Sequence, residues 1–478
     1  MTVIYEEQAA EHIHGICLKT GPPRLVGVEL EWLVRDARDP ALPVQAERIL
    51  DAVAAFAPAS GLPSNARPGV LPSGTLLTTE PGGQLELSSQ PADSLADCVR
   101  ATAADLATLR AAVGGAGLEL AGIGLDPVRP PRRILDLPRY AAMERFFDRG
   151  GPWGRQMMCG TASVQVCLDA GDDGDGYTGY RWRWHLLHAI GPVLVAAFAN
   201  SPLRGGRPTG WQSSRQQVWA HMDPGRTRPP RLNGDRNGQL AGGLNGARNG
   251  SGGRSLARDP REAWVRYVLD AQVMCVRDPG SDDWSAPPGL TLRDWVRGRP
   301  QPRASVELGA VTTRLRAPTT EDLAYHVSTL FPPVRPHGHL ELRMIDAQPG
   351  DGWIVPLALT SALLGDEQAG AAAMAAAELL WAGHGPAGEW PDGRSAAAGA
   401  GAGGGGGGGG ENPWSRGARL GPADPAIARA SRDCFAAARS ALDRMAVPAE
   451  ITSAVDAFIE RYVSKDRCPA DDLLEEAT

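Results

Sequence analysis

Four stretches of the chain alternate apolar and polar side chains. In Val26 to Val34, the residues Val26, Val28, Leu30, Trp32 and Val34 share one face, while Glu29 and Glu31 share the other. Leu85 and Leu87 oppose Gln84, Glu86 and Ser88. In Thr161 to Asp169, Ala162, Val164, Val166 and Leu168 oppose Thr161, Ser163, Gln165 and Asp169. In His339 to Ile345, Leu340, Leu342 and Met344 oppose His339, Glu341 and Arg343. Side chains of an extended backbone point to alternate faces, so each run predicts a strand. Together they predict a largely antiparallel sheet with one face buried against helices. Apolar residues at three- and four-residue spacing predict helices over Leu95 to Ala116, Arg181 to Ala199, Pro260 to Val276, Trp353 to Ala382 and Pro425 to Tyr462. Runs rich in Gly, Asn, Arg and Pro from Arg226 to Arg258, and in Ala and Gly from Ser395 to Gly410, cannot bury enough apolar side chain to offset their ordering entropy. Both are expected to be flexible.

The polar faces carry the unusual chemistry. Glu29, Glu31, Glu86 and Glu341 all lie within strands, where glutamate is depleted. Glu80 precedes a Pro-Gly-Gly turn that could bring it and Glu86 to one site from either end. Carboxylates a few ångströms apart repel, and either a proton or a bound cation relieves them; magnesium, which takes oxygen ligands and bridges carboxylates to phosphates, is the natural candidate. The competing reading of any one of these glutamates is a solvated sheet face. Arg139, Arg215 and Arg343 supply planar guanidinium groups suited to carboxylate or phosphate, against the alternative of surface ion pairs.

Composition narrows the classes. The 478 residues are 42% hydrophobic and carry a formal net charge of -7, with no dense basic run, so the electrostatic footprint of a nucleic-acid binder is missing. Lys19 and Lys465 are the only lysines, and no P-loop, GxSxG or HExxH motif occurs. Seven cysteines without CxxC pairing, an acidic start and no apolar run of the about 18 to 20 residues a membrane span needs predict a soluble cytoplasmic protein with free thiols.

Six segments in order carry a family resemblance: VGVELEWL (Val26 to Leu33), TTEPGGQLELS (Thr78 to Ser88), PRYAAM (Pro138 to Met143), MMCGTASVQVCLD (Met157 to Asp169), FANSPLRGGRPTGWQSSRQQVW (Phe198 to Trp219) and HVSTLFPPVRPHGHLELRMID (His326 to Asp346). They resemble the glutamate-cysteine ligases of the plant and actinobacterial type, in particular the branch that feeds ergothioneine synthesis. The resemblance implies an α+β, glutamine-synthetase-like carboxylate-amine ligase fold with a curved, mainly antiparallel sheet lining the active site. It also implies ATP-dependent joining of glutamate to cysteine with Mg2+, through a γ-glutamyl phosphate. By it, Glu29, Glu31, Glu80, Glu86 and Glu341 are metal ligands, and Gln165 lies beside the metals. Arg139 and Arg215 are anchors of the substrate glutamate, Arg343 faces the transferring phosphoryl group, and Glu31 is catalytic with it. The expected organisation is a catalytic domain over 1–394, a linker over 395–410 and a helical region over 411–478, with no nucleic-acid or membrane partner and an open oligomeric state, monomer included. Two rivals stand beside this reading: an enzyme of the same scaffold with another acceptor, and a non-catalytic sensor of amino acids or nucleotides.

Overall fold

The computed structural model describes residues 3–58, 67–230, 259–278, 280–298, 315–382 and 411–477. Among them run ten strands: β1 (Val26–Asp36), β2 (Gly69–Val70), β3 (Leu76–Thr79), β4 (Leu85–Ser88), β5 (Leu118–Ala121), β6 (Ser163–Leu168), β7 (Leu203–Arg204), β8 (Arg207–Pro208), β9 (Val334–Pro336) and β10 (Leu340–Asp346). Eight form one sheet in the order β2-β3-β4-β1-β6-β10-β9, with β5 pairing the far end of β1, and every pairing is antiparallel. The remaining two make a separate hairpin. All four predicted strands are present and lie side by side, from β4 through β1 and β6 to β10.

The sheet is held by what its apolar face buries. Val28, Leu30 and Trp32 of β1, Leu85 and Leu87 of β4, Val164 and Val166 of β6, and Leu340 and Leu342 of β10 join one core. The opposing surface comes from Leu106 and Leu109 of the helix Leu95–Gly115, Leu187 and Ile190 of Tyr180–Ala197, Leu357 of Ile354–Gly365, Phe435 of Pro425–Arg444 and Val455 of Ala449–Arg461. Burial of such side chains contributes about 1.5 to 3 kcal/mol each, which favours this register over a one-residue slip that would turn the glutamates into the apolar core instead. A second core joins the helices Glu6–Cys17, Pro260–Asp270 and Thr320–Val327. A third joins Pro138–Asp148, Trp153–Gly160 and Ser214–His221.

Several helices end earlier than their apolar spacing predicts, each for a local reason. Trp353 to Ala382 is two helices, Ile354–Gly365 and Glu367–Trp381, because the Asp366 side chain accepts from Ala369 N at 2.8 Å and caps the second. Pro425 to Tyr462 divides at Ala446, whose φ is 51°, and at Pro448, which has no N–H to continue a helix. Pro260 to Val276 is helical only to Asp270; beyond it the backbone turns to Leu290 and Trp284, with Val273 N donating to Leu290 O at 2.7 Å and Val276 N to Trp284 O at 2.8 Å.

The expectation of a flexible run beginning at Arg226 is corrected at its start. Arg226 is fully buried in the short helix Pro224–Thr227, where Nη1 donates to Thr329 Oγ1 at 2.9 Å and the guanidinium lies 4.8 Å from the Phe146 ring. A side chain that reaches a distant pocket anchors its segment whatever the local composition. Residues 231–258 and the Ala/Gly run lie outside the described residues.

Close approach is built into the helical layer. A Cβ on Gly191 would lie 2.0 Å from the Trp414 ring. Gly191→Ala is therefore expected to lower Tm, with a cost of roughly 1 to 3 kcal/mol as for other overpacked cores; calorimetry of the two proteins checks it, and an unchanged Tm would mean the helices separate freely.

Candidate active site

The register of the sheet assembles the acidic positions. Glu31 of β1 lies directly opposite Glu86 of β4, and Glu29 lies opposite Gln165 of β6. Glu341 of β10 pairs with Cys167 of β6 on one side and Arg335 of β9 on the other. Between Leu342 and Ile345, β10 carries one more residue than β6, and this bulge departs from the strict alternation predicted there. It leaves Arg343 beside Gln165.

Glu80 arrives by the turn between β3 and β4. Glu80 N donates to Gln84 O and Gly83 N to Glu80 O, both at 2.8 Å, and Gly83 adopts a φ of 88° that favours glycine. Gln84 Nε2 donates to Thr161 O at 2.9 Å, tying the turn to the start of β6. Thus all five glutamates and Gln165 reach one side of the sheet.

Side-chain contacts divide them. Glu341, 1% exposed, accepts from Arg335 Nε at 2.7 Å and Arg335 Nη2 at 2.9 Å, and also from Arg343 Nη1. Arg343 Nη1 donates as well to Gln165 Oε1, whose Nε2 donates to Glu31 Oε1 at 2.7 Å. Glu86 accepts from Thr78 Oγ1 at 2.8 Å. Glu341 therefore has two guanidinium partners, whereas Glu29, Glu80 and Glu86 accept a hydrogen bond from none.

Titration follows that division. Burial, then the charge of Glu341, raises the Glu29 carboxyl to about 7 against the pull of Arg335 and Arg343. Burial and Glu31 raise Glu80 to about 7, with Arg139 and Arg343 opposing. Burial and the charges of Glu29, Glu80 and Glu31 push Glu86 well above the carboxylate range. Burial acts the same way on Glu341, yet Arg335 and Arg343 hold it at about 2.

The two substrate-anchor candidates flank this group. Arg139, at the start of the helix Pro138–Asp148, lies over the Tyr325 ring at 4.8 Å and donates through Nη1 to Ser328 Oγ at 3.2 Å. Arg215, 2% exposed, lies over the Trp219 ring at 4.5 Å and donates through Nη2 to Arg343 O at 2.8 Å. Arg139 Nε, Arg215 Nε and Nη1, and Arg343 Nε are buried without a hydrogen-bond partner. Burial of such donors unpaired is costly, which suits each of them to an anion.

Among the described residues, no three of the carboxylate, imidazole or thiol side chains stand close enough as placed to enclose a metal ion. The carboxyl oxygens of Glu29, Glu80 and Glu86 are nonetheless the hard donors such a cation takes, and none of the three accepts a hydrogen bond from a guanidinium. Arg335 was not singled out in the sequence; its signal is the RPHGHLE hairpin, which sets it across from Glu341. Asp346, one residue past the predicted strand, was also missed.

Carboxyls gathered beside arginines with unpaired donors make a candidate enzyme site for anions. The family model described as Glutamate-cysteine ligase family 2 (GCS2) matches residues 25–239 and 251–386, and the chain belongs to that family. It is 35% identical over 468 residues to "Glutamate--cysteine ligase EgtA" of Mycobacterium tuberculosis (strain ATCC 25618 / H37Rv), covering 97% of this chain and 89% of that protein. It is likewise 35% identical to the protein of that name from Mycolicibacterium smegmatis, over 98% of this chain and 90% of that one. The chloroplastic glutamate-cysteine ligase A of Oryza sativa subsp. indica is 30% identical over 57% of this chain and 48% of its own length. A glutamate-cysteine ligase structure from Francisella tularensis in complex with AMP aligns with a TM-score of 0.48 and 10% identity, over 96% of this chain and 85% of that chain. The protein is thus a ligase of the glutamate-cysteine ligase family, with an α+β fold. No helix among the described residues is long and apolar enough to cross a membrane.

The raised carboxyls make a stability prediction. Glu29 keeps its proton to about 7 in the fold but only to its ordinary 4.5 when unfolded, so its contribution to stability is complete below 4.5 and lost as pH rises through about 7. Glu29→Gln removes that loss. Its Tm is expected to exceed wild type by roughly 2 °C at pH 8 in a chelating buffer and to match it at pH 4.5; equal values at pH 8 would mean Glu29 carries no excess charge.

Proposed function

We propose that the protein joins the γ-carboxyl of glutamate to the amino group of cysteine at the expense of ATP, giving γ-glutamylcysteine, ADP and phosphate, and that the product serves ergothioneine synthesis. The observation that carries this reading is the grouping of the raised carboxyls of Glu29, Glu80 and Glu86 with unpaired donors on Arg139, Arg215 and Arg343. Such a site accepts a cation and anions together, as a metal nucleotide and an acidic amino acid require.

A carboxylate does not react with an amine at neutral pH until its oxygen becomes a leaving group. In the proposed route a γ-carboxylate oxygen attacks the terminal phosphorus of ATP, the bond to ADP breaks, and a γ-glutamyl phosphate forms. Cysteine nitrogen then attacks the acyl carbon, phosphate departs with the C–O bond electrons, and the nitrogen gives up a proton. No protein nucleophile is used. Arg139 and Arg215 hold the α-carboxylate, whose planar shape a guanidinium matches. Arg343 meets charge developing on the transferred oxygens, and Gln165 fixes Glu31 through its 2.7 Å hydrogen bond. Glu29, Glu31, Glu80, Glu86 and Glu341 would hold magnesium, which offsets the phosphate charges when bound. Burial, and after it repulsion, raises three of these carboxyls, and a bound cation relieves the repulsion.

Glu31→Gln is the informative variant, because Glu341→Gln would also deprive two largely buried guanidinium groups of their counter-charge and unsettle the fold. Glu31→Gln is expected to lose about 10²-fold or more in kcat at a nearly unchanged Tm. The direct test is ADP release with ATP, magnesium and glutamate, with and without cysteine, alongside mass detection of the product. Cysteine-dependent γ-glutamylcysteine supports the reading; turnover only with another amine would change the acceptor, and binding without turnover would leave a sensor.

A further inference from the structure

A buried carboxylate next to the site has no role in the reaction just described. Asp346 ends β10 and is 2% exposed. Its Oδ2 accepts from Asn200 N at 2.9 Å and Ser201 Oγ at 2.7 Å, and its Oδ1 accepts from Ser213 Oγ at 3.0 Å. An ionised carboxylate only accepts, so each serine spends its one proton on Asp346 and turns its lone pairs elsewhere.

Those lone pairs meet the start of the helix Ser214–His221. Ser201 Oγ accepts from Arg215 N at 3.2 Å, and Ser213 Oγ from Gln216 N at 3.1 Å. The first helical amides, which have no partner within the helix, are thereby taken up by hydroxyls that Asp346 orients. From the same turn, Arg215 Nη2 donates to Arg343 O and Gln216 Nε2 to Met344 O, both at 2.8 Å, so the helix is stitched to the bulge of β10. Asp346 Oδ1 also lies 3.8 Å from Arg215 Nη1.

We propose that Asp346 is a positioning residue for substrate capture: through Ser201 and Ser213 it fixes the helix start, and so holds the Arg215 guanidinium ready for the carboxylate it binds. This rests on the reading of Arg215 as the glutamate anchor. Asp346 itself does not touch substrate. Loosening it degrades the recognition of glutamate and leaves the nucleotide side of the site in place.

Steady-state kinetics on the full chain test this, with KM for glutamate, ATP and cysteine measured for wild type, Asp346→Asn, Ser201→Ala, Arg215→Lys and the Asp346→Asn/Arg215→Lys double variant. Asp346→Asn is expected to raise KM for glutamate about tenfold or more, the scale of one lost contact to a charged group, with KM for ATP within about twofold of wild type. In the Arg215→Lys background the same change should add little, because the group it positions is already altered. A joint rise of all KM values, or full additivity in the double variant, would make Asp346 a general stabiliser and overturn the proposal. Should Asp346→Asn not fold, Ser201→Ala carries the comparison: a rise confined to glutamate supports the proposal, and an unchanged glutamate KM overturns it. Wild-type protein that does not turn over glutamate defeats the proposed function, whereas an active wild type with an unshifted Asp346→Asn defeats only this inference.

Discussion

Repulsion among carboxyls that the sheet register places together is the constraint around which the site is organised. Glu31 and Glu86 are cross-strand partners, an arrangement that is unfavourable in itself because like charges directly opposite one another destabilise a sheet. Neither strand can relieve it by sliding. A shift of one residue would turn Leu30 and Leu87 out of the core and bring the acids into it. The apolar face thus enforces an electrostatic arrangement on the polar face that the polar face would not adopt alone, and Glu29, Glu80 and Glu86 answer by holding protons.

The positive groups are distributed unevenly, and this shapes the pocket as much as the acids do. Arg335 and Arg343 both close on Glu341, which stays ionised, while the neighbouring acids receive no guanidinium contact of that kind. A buried ion pair of this sort is worth little against an apolar replacement but costs much to break from one side. Its role is geometric: it fixes the direction of Arg343 at the β10 bulge. Arg215 is bound to the carbonyl of that same residue, so the two guanidinium groups are linked through one peptide unit.

Much of this was legible in the chain. The period-two runs located β1, β4, β6 and β10, and glutamate inside strands singled out Glu29, Glu31, Glu86 and Glu341 before any pairing was known. Local pattern did not reveal register. Arg335 became visible only once β9 lay against β10, and Thr78 only once β3 lay against β4. Helix lengths were overestimated where alanine-rich spacing continued across Asp366 and Ala446, since periodicity reports burial on both sides of a break but not the cap or the positive φ between them. Arg226 was misassigned for the opposite reason: its neighbours in sequence are polar, and its partners Thr329 and Gln272 lie far along the chain.

The apolar face of the sheet is covered in part by helices that follow residue 411, with Phe435, Leu442 and Val455 in the same core as Leu30 and Val166. During synthesis the strands therefore leave the ribosome well before the side chains that shelter them. A nascent chain halted after β10 would have the helices Leu95–Gly115 and Tyr180–Ala197 over that face but leave the rest of it bare, inviting chaperones or aggregation. The acidic face on one side of the sheet thus waits for its support on helices made after it and packed on the other.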